Sequence, residues 1–152
     1  MNQSGGLTMK ITLALACAFA LSASPAAWAG PNYGCDSVNF GQEVLDKFPN
    51  AKRLCRGIKE KDGGIYVHYV GKVVASSPES VTVEFLDKDE KAVSRATFVP
   101  AADQSVSIEN KKMKYSDVKK GTKLDFYIEN NRWGLYMNPG EAKMTVLKVE
   151  QL

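Results

Sequence analysis

The sequence predicts a mainly β fold, a small antiparallel and partly closed barrel carrying one short N-terminal helix. From Leu54 onward, short runs enriched in β-branched and aromatic residues alternate with turn formers at intervals of about 8 to 12 residues. The connections between these runs are short, which favours sequential hairpins over parallel crossovers. The length left after a leader segment, 123 of 152 residues, suits one core and one domain, residues 30–152.

The leader is Met1 to Ala29. One positive charge, Lys10, precedes the 11-residue apolar run Ile11 to Leu21, and small residues from Ser22 to Ala29 close it, the layout of a cleavable secretory signal peptide. Ala27-Trp28-Ala29 places a small side chain at both positions a signal peptidase reads, so cleavage is expected after Ala29, and Met9 is an alternative start. Crossing a bilayer takes about 20 apolar residues, so no permanent membrane anchor is expected. Cys17 lies too early in the apolar run to be a lipidated residue. The expected location is the periplasm or the exterior, with 19 basic against 17 acidic residues in the mature chain, a balance that names no partner.

Cys35 and Cys55 remain after cleavage, and in an oxidising compartment they are expected to pair. Their separation of 20 positions argues against a redox-active C-x-x-C site.

The elements follow in order. Asn39-x-x-Gln42 offers a capping-box start to a helix over about residues 40–48, with Phe40, Val44, Leu45 and Phe48 on one side and Pro49 as its end. The disulfide would tie this helix to the first strand, Leu54 to Lys59. Asp62-Gly63 then supplies the positive φ of a tight hairpin. In the long run Ile65 to Ala75, Ile65, Val67, Tyr69 and Val73 alternate with Tyr66, His68 and Lys72, the pattern of a half-buried strand, and Gly71 marks a bend or bulge. Further strands are expected at Val81 to Leu86, Ala92 to Val99, Ser105 to Ile108, Lys111 to Tyr115, Thr122 to Ile128, Trp133 to Met137 and Lys143 to Val149.

The stretch Tyr115-Ser116-Asp117-Val118-Lys119-Lys120-Gly121-Thr122-Lys123-Leu124-Asp125-Phe126 resembles a phrase of small exported OB-like and SH3-like β-barrel domains of unassigned function. The resemblance implies a fold and no activity. In it Val118 would plug the barrel end, Gly121 would take a positive φ, and Leu124 and Phe126 would point inward.

Candidate chemistry is sparse. One histidine, His68, and two paired cysteines leave no expected metal site and no cofactor. Asp87, Asp89 and Glu90 lack the spacing of a calcium loop and read as a solvated turn. No serine stands in a nucleophile-elbow context, so the chain is expected not to be an enzyme. The least scaffold-like feature is the lysine cluster Lys111, Lys112, Lys114, Lys119, Lys120 and Lys123, six cations within 13 residues against only Asp117. On one face it would attract a polyanion such as lipid phosphate, glycan acid groups or nucleic acid; lysines also guard strand edges against aggregation. Tyr127, Trp133 and Tyr136 could add a stacking surface, with Trp133 near a loop tip.

The leading expectation is a non-enzymatic periplasmic or secreted binding module for an unknown protein or an anionic envelope component, with no nucleic-acid partner and the oligomeric state left open. Two others stand beside it: an inhibitor or immunity protein that blocks a secreted or envelope-targeted enzyme, and a cryptic hydrolase, which would need a concave pocket with a perturbed carboxylate or a positioned serine.

Overall fold

The computed structural model describes residues 34–137, 139 and 144–152; the leader and its cleavage site lie outside them. A 3-10 turn, Cys35–Ser37, opens the described chain, and two short helices follow, α1 (Gln42–Lys47) and α2 (Ala51–Leu54). Nine strands complete it: β1 (Gly57–Lys61), β2 (Gly64–Ser76), β3 (Val81–Leu86), β4 (Ala92–Val99), β5 (Val106–Ile108), β6 (Lys111–Met113), β7 (Lys123–Glu129), β8 (Arg132–Tyr136) and β9 (Thr145–Gln151).

Six strands in the order β8-β7-β2-β3-β4-β9 form a nearly closed antiparallel barrel. Between its two terminal strands only the bridge Leu135↔Met144 joins among the described residues. Strand β2 is long enough to serve two partners along one edge. Its first half pairs with β1 from Gly64 to His68 and its second half with β3 from Val70 to Ser76, while β7 runs along the other edge.

The alternation expected in β2 holds for Val67, Tyr69 and Val73, which are buried, and for His68 and Lys72, half-buried on the outer face, but Tyr66, expected outward, is buried with its ring 5.8 Å from that of Tyr136, and Ile65, expected inward, is only half-buried. Gly71 has a different role from the one expected, because the register shift falls between Val73 and Ala75. A Cβ at Gly71 would come 2.8 Å from Cε2 of Phe126, so the missing side chain makes room for a core ring.

The core is a relay of rings. Phe48 meets Phe85 with centroids 5.1 Å apart, Phe85 meets Phe126 at 5.6 Å, Phe126 meets Phe98 at 5.7 Å, and Phe98 meets Tyr115 at 6.1 Å. Edge-on packing of this kind adds to the burial term that drives collapse. The two ends of the relay come from outside the barrel strands. Phe48 follows α1, and Tyr115 starts the 3-10 turn Tyr115–Asp117, after which Val118 is also buried. The expected inward positions of Leu124 and Phe126 and the positive φ of Gly121, 90°, are all present.

The helical segment departs from expectation at both ends. Asn39 does not cap α1; the helix begins after Gly41, with no side-chain cap. The backbone here is used otherwise: Gly41 N–H donates to the carbonyl of Asn130 (2.7 Å), and the Asn130 side-chain amide donates to the carbonyl of Asn39 (3.0 Å). Contact with the β7–β8 turn is so close that a Cβ at Gly41 would lie 2.9 Å from Asn131 Cα. Pro49 ends α1, but the chain coils again as α2 because Ala51 and Leu54, three apart, both reach the core. The strand expected from Leu54 therefore starts at Gly57. Cys35 and Cys55 form a disulfide, which joins the opening 3-10 turn to the end of α2 and encloses both helices, rather than tying α1 directly to a strand.

Candidate functional site

Outward positions of β2 and β7 carry the most chemistry. His68 and Tyr127 are cross-strand partners, their rings stacked at 5.3 Å. His68 Nε2 lies 2.7 Å from an Asp125 carboxylate oxygen, and Lys59 Nζ sits 5.8 Å from the Tyr127 ring centre. The bond to His68 holds the Asp125 carboxyl below the usual carboxylate range, and burial pushes the Tyr127 hydroxyl up.

Beside this cluster lies an open groove of about 350 Å³ between the β5–β6 hairpin and β7, lined by Ser105 to Glu109 on one wall and by Lys123, Asp125, Tyr127 and Met137 on the other. The hairpin turn uses Glu109 and Asn110 at φ 50° and 63°, the left-handed conformations such a turn requires. Val106 is buried against the barrel, and Ile108 and Met113 pack on it, so the hairpin is anchored by one face.

The six lysines are all exposed, but the structure does not give them one common role. Lys111 and Lys112 adjoin on β6 and alternate in direction, Lys111 paired with groove-lining Ile108 and Lys112 with Ser107. Lys114 immediately precedes the 3-10 turn that plugs the barrel, and Lys119 and Lys120 follow it. Lys123 is engaged: it pairs with Glu90, across β2. No ion pair involves the other five among the described residues, whereas all four arginines are paired: Arg53 with Asp87, Arg56 with Glu90, Arg95 with Glu84 and Arg132 with Glu129. Trp133 has a separate setting. It packs on Phe48 and lines a second groove with Asp46, Lys47 and Val146 to Val149, so Tyr127 is the aromatic that shares a groove with a lysine of the cluster. Alternation alone could have marked Tyr127 and His68 as outward, but their pairing across β2 and β7 required the topology.

The acidic turn after β3 is a structural junction. Asp87 is buried and accepts from Arg53 (2.9 Å) and from the backbone amides of Asp89 (3.1 Å) and Lys91 (3.0 Å). Where β1 and β3 abut along β2, Arg56 donates to the carbonyls of Leu86 and Asp87 and to Glu90. No three potential metal ligands converge among the described residues. The Arg53 bond, with help from the Lys91 amide, holds the Asp87 carboxyl low, and Lys123 followed by Arg56 does so for Glu90. A carboxylate whose folded pKa lies below its unfolded value stabilises above the unfolded value and loses that contribution as pH falls through the folded one. The thermal midpoint is therefore expected to drop on acidification below about pH 4, and to drop less steeply in Asp87→Asn, as read by circular dichroism melts across pH.

Compared with known proteins, the chain matches no protein-family model, no curated protein and no solved structure.

Proposed function

We propose that the chain is a non-enzymatic binding module of an extracytoplasmic compartment that engages an anionic envelope component through the lysine-flanked end of the barrel. The observation that carries this reading is the groove between the β5–β6 hairpin and β7, with Tyr127 and Lys123 in its wall and exposed, unpaired lysines on the segment that frames it. Export is supported by the signal-peptide layout of residues 1–29 and by the disulfide, which suits an oxidising location. No helix among the described residues is long and apolar enough to cross a membrane.

The test is cosedimentation with phosphatidylcholine vesicles with and without phosphatidylglycerol, at low and at high salt. Each lysine near an anionic surface contributes about 1 kcal/mol, so reversing Lys111, Lys112, Lys119 and Lys120 to Glu together should weaken binding by at least about a hundredfold. Binding to neutral vesicles, or binding to anionic vesicles unchanged by salt and by the reversals, would contradict the reading. Retention of a single protein partner at high salt in place of vesicle binding would favour the inhibitor reading.

A further inference from the structure

The barrel has two terminal strands, and the helical segment packs along one of them while touching the other through the Asn50 side-chain amide, which donates to the Gln151 side chain. The start of α1 lies on the β7–β8 turn, with Gly41 against Asn130 and Asn131, and α1 packs along β8. Strand β9 pairs with β4 on one side, and on the other the bridge at Met144 is its one backbone link among the described residues. Beyond that bridge an open groove separates Val146 to Val149 from Trp133, Asp46 and Lys47. The two exposed large apolar side chains among the described residues, Leu147 (60 % exposed) and Leu152 (56 %), both belong to this strand or its end.

We propose that the free edge of β9 docks a second copy of the chain, the two β9 strands pairing antiparallel about a two-fold axis at Val149. Backbone parity supports this register. Leu152 N–H donates to Val93 (3.0 Å), and Glu150 and Lys148 stand opposite Arg95 and Thr97. Residues 148, 150 and 152 thus spend their backbone groups on β4, while Val149 and Gln151 turn theirs to the free edge. Val149 would exchange both backbone hydrogen bonds with Val149 of the partner subunit.

Charge selects the same axis. Lys148 and Glu150 share the solvent face and form an ion pair within the strand. Pairing about Val149 sets Lys148 against Glu150 of the partner subunit and Glu150 against Lys148 of the partner subunit, two opposite-charge pairs from one symmetry. An axis through Lys148 or through Glu150 would set a like charge against itself. The Val149 axis also sets Leu147 opposite Gln151 of the partner subunit and Leu152 opposite Val146 of the partner subunit, so each exposed leucine meets a residue across the seam. An edge with unpaired backbone groups and exposed leucines is a hazard unless it is occupied, and self-pairing occupies it in a closed dimer.

Sedimentation equilibrium of the purified oxidised chain, from micromolar to submillimolar concentration, should show a monomer–dimer equilibrium. Lys148→Glu alone and Glu150→Lys alone each create two like-charge pairs across the axis and should weaken dimerisation about tenfold or more, while the double exchange restores it. Amide exchange at Val149 and Gln151 in the unaltered chain should slow as concentration rises, a readout that needs no variant to fold. A chain monomeric throughout, a dimer indifferent to both single reversals, or a double exchange that fails to restore pairing overturns the proposal, and the last two would assign the dimer to another surface.

Discussion

Phe48→Ala should destabilise the protein by about 3–5 kcal/mol, the range for removing a fully buried ring, out of a total that for domains of this size is about 5–15 kcal/mol. Phe48 has no exposed surface and touches three rings, Phe85 at 5.1 Å, Tyr69 at 5.3 Å and Trp133 at 5.8 Å. Its removal takes away the plug that the helical segment supplies to the barrel, and the cavity left would lie between strands held apart by their own ladders. Urea unfolding at neutral pH measures the loss. Phe40→Ala, at a half-buried position of the same segment, should cost clearly less. A loss below about 1 kcal/mol for Phe48→Ala would mean that the helical segment does not seal the core as described.

Replacing both Cys35 and Cys55 with serine should cost on the order of 3 kcal/mol, as expected for opening a closed loop of about 20 residues. The bond spans 20 positions, and every residue of α1 and α2, with Phe48 between them, lies inside that loop. The disulfide and Phe48 therefore stabilise the same docking event, one by limiting the freedom of the undocked segment and the other by rewarding docking. Combined in one chain, the substitutions should destabilise by less than the sum of their separate effects, because once the segment is released the second change has little left to remove. Dithiothreitol added to the unaltered chain should reproduce the double-serine midpoint.

Much of the fold was legible because it is local. The bounds of β3 and β4 match the apolar runs Val81 to Leu86 and Ala92 to Val99, and Asp62, Gly63 and Asn110 take the positive φ values their residue types favour. The phrase Tyr115 to Phe126 placed a plug, a glycine turn and two inward residues correctly, since each depends on neighbours within a few positions.

What stayed hidden depends on distant partners. Gly71 is glycine because of Phe126, 55 positions away in sequence, and nothing near Gly71 announces that ring. Asn39 looked like a cap, but its backbone is claimed by Asn130. The lysine cluster read as a unit from spacing alone. Strand alternation separates Lys111 from Lys112, a reach across β2 pairs Lys123 with Glu90, and Trp133 is drawn to Phe48 at the helical end of the barrel. The groove at Tyr127 is made by two segments whose proximity only the barrel order β8-β7-β2 and the anchored hairpin establish.

Binding of the lysine-flanked end of the barrel to an anionic surface is read residue by residue in an amide chemical-shift titration of the isotopically labelled chain with bicelles containing phosphatidylglycerol, with neutral bicelles as reference. If that end binds an anionic surface, shifts will concentrate in residues 105–127, on the β5–β6 hairpin, the plug turn and β7, and will vanish as salt is raised. Shifts centred instead on Trp133 and β9, or equal shifts with neutral bicelles, would contradict it.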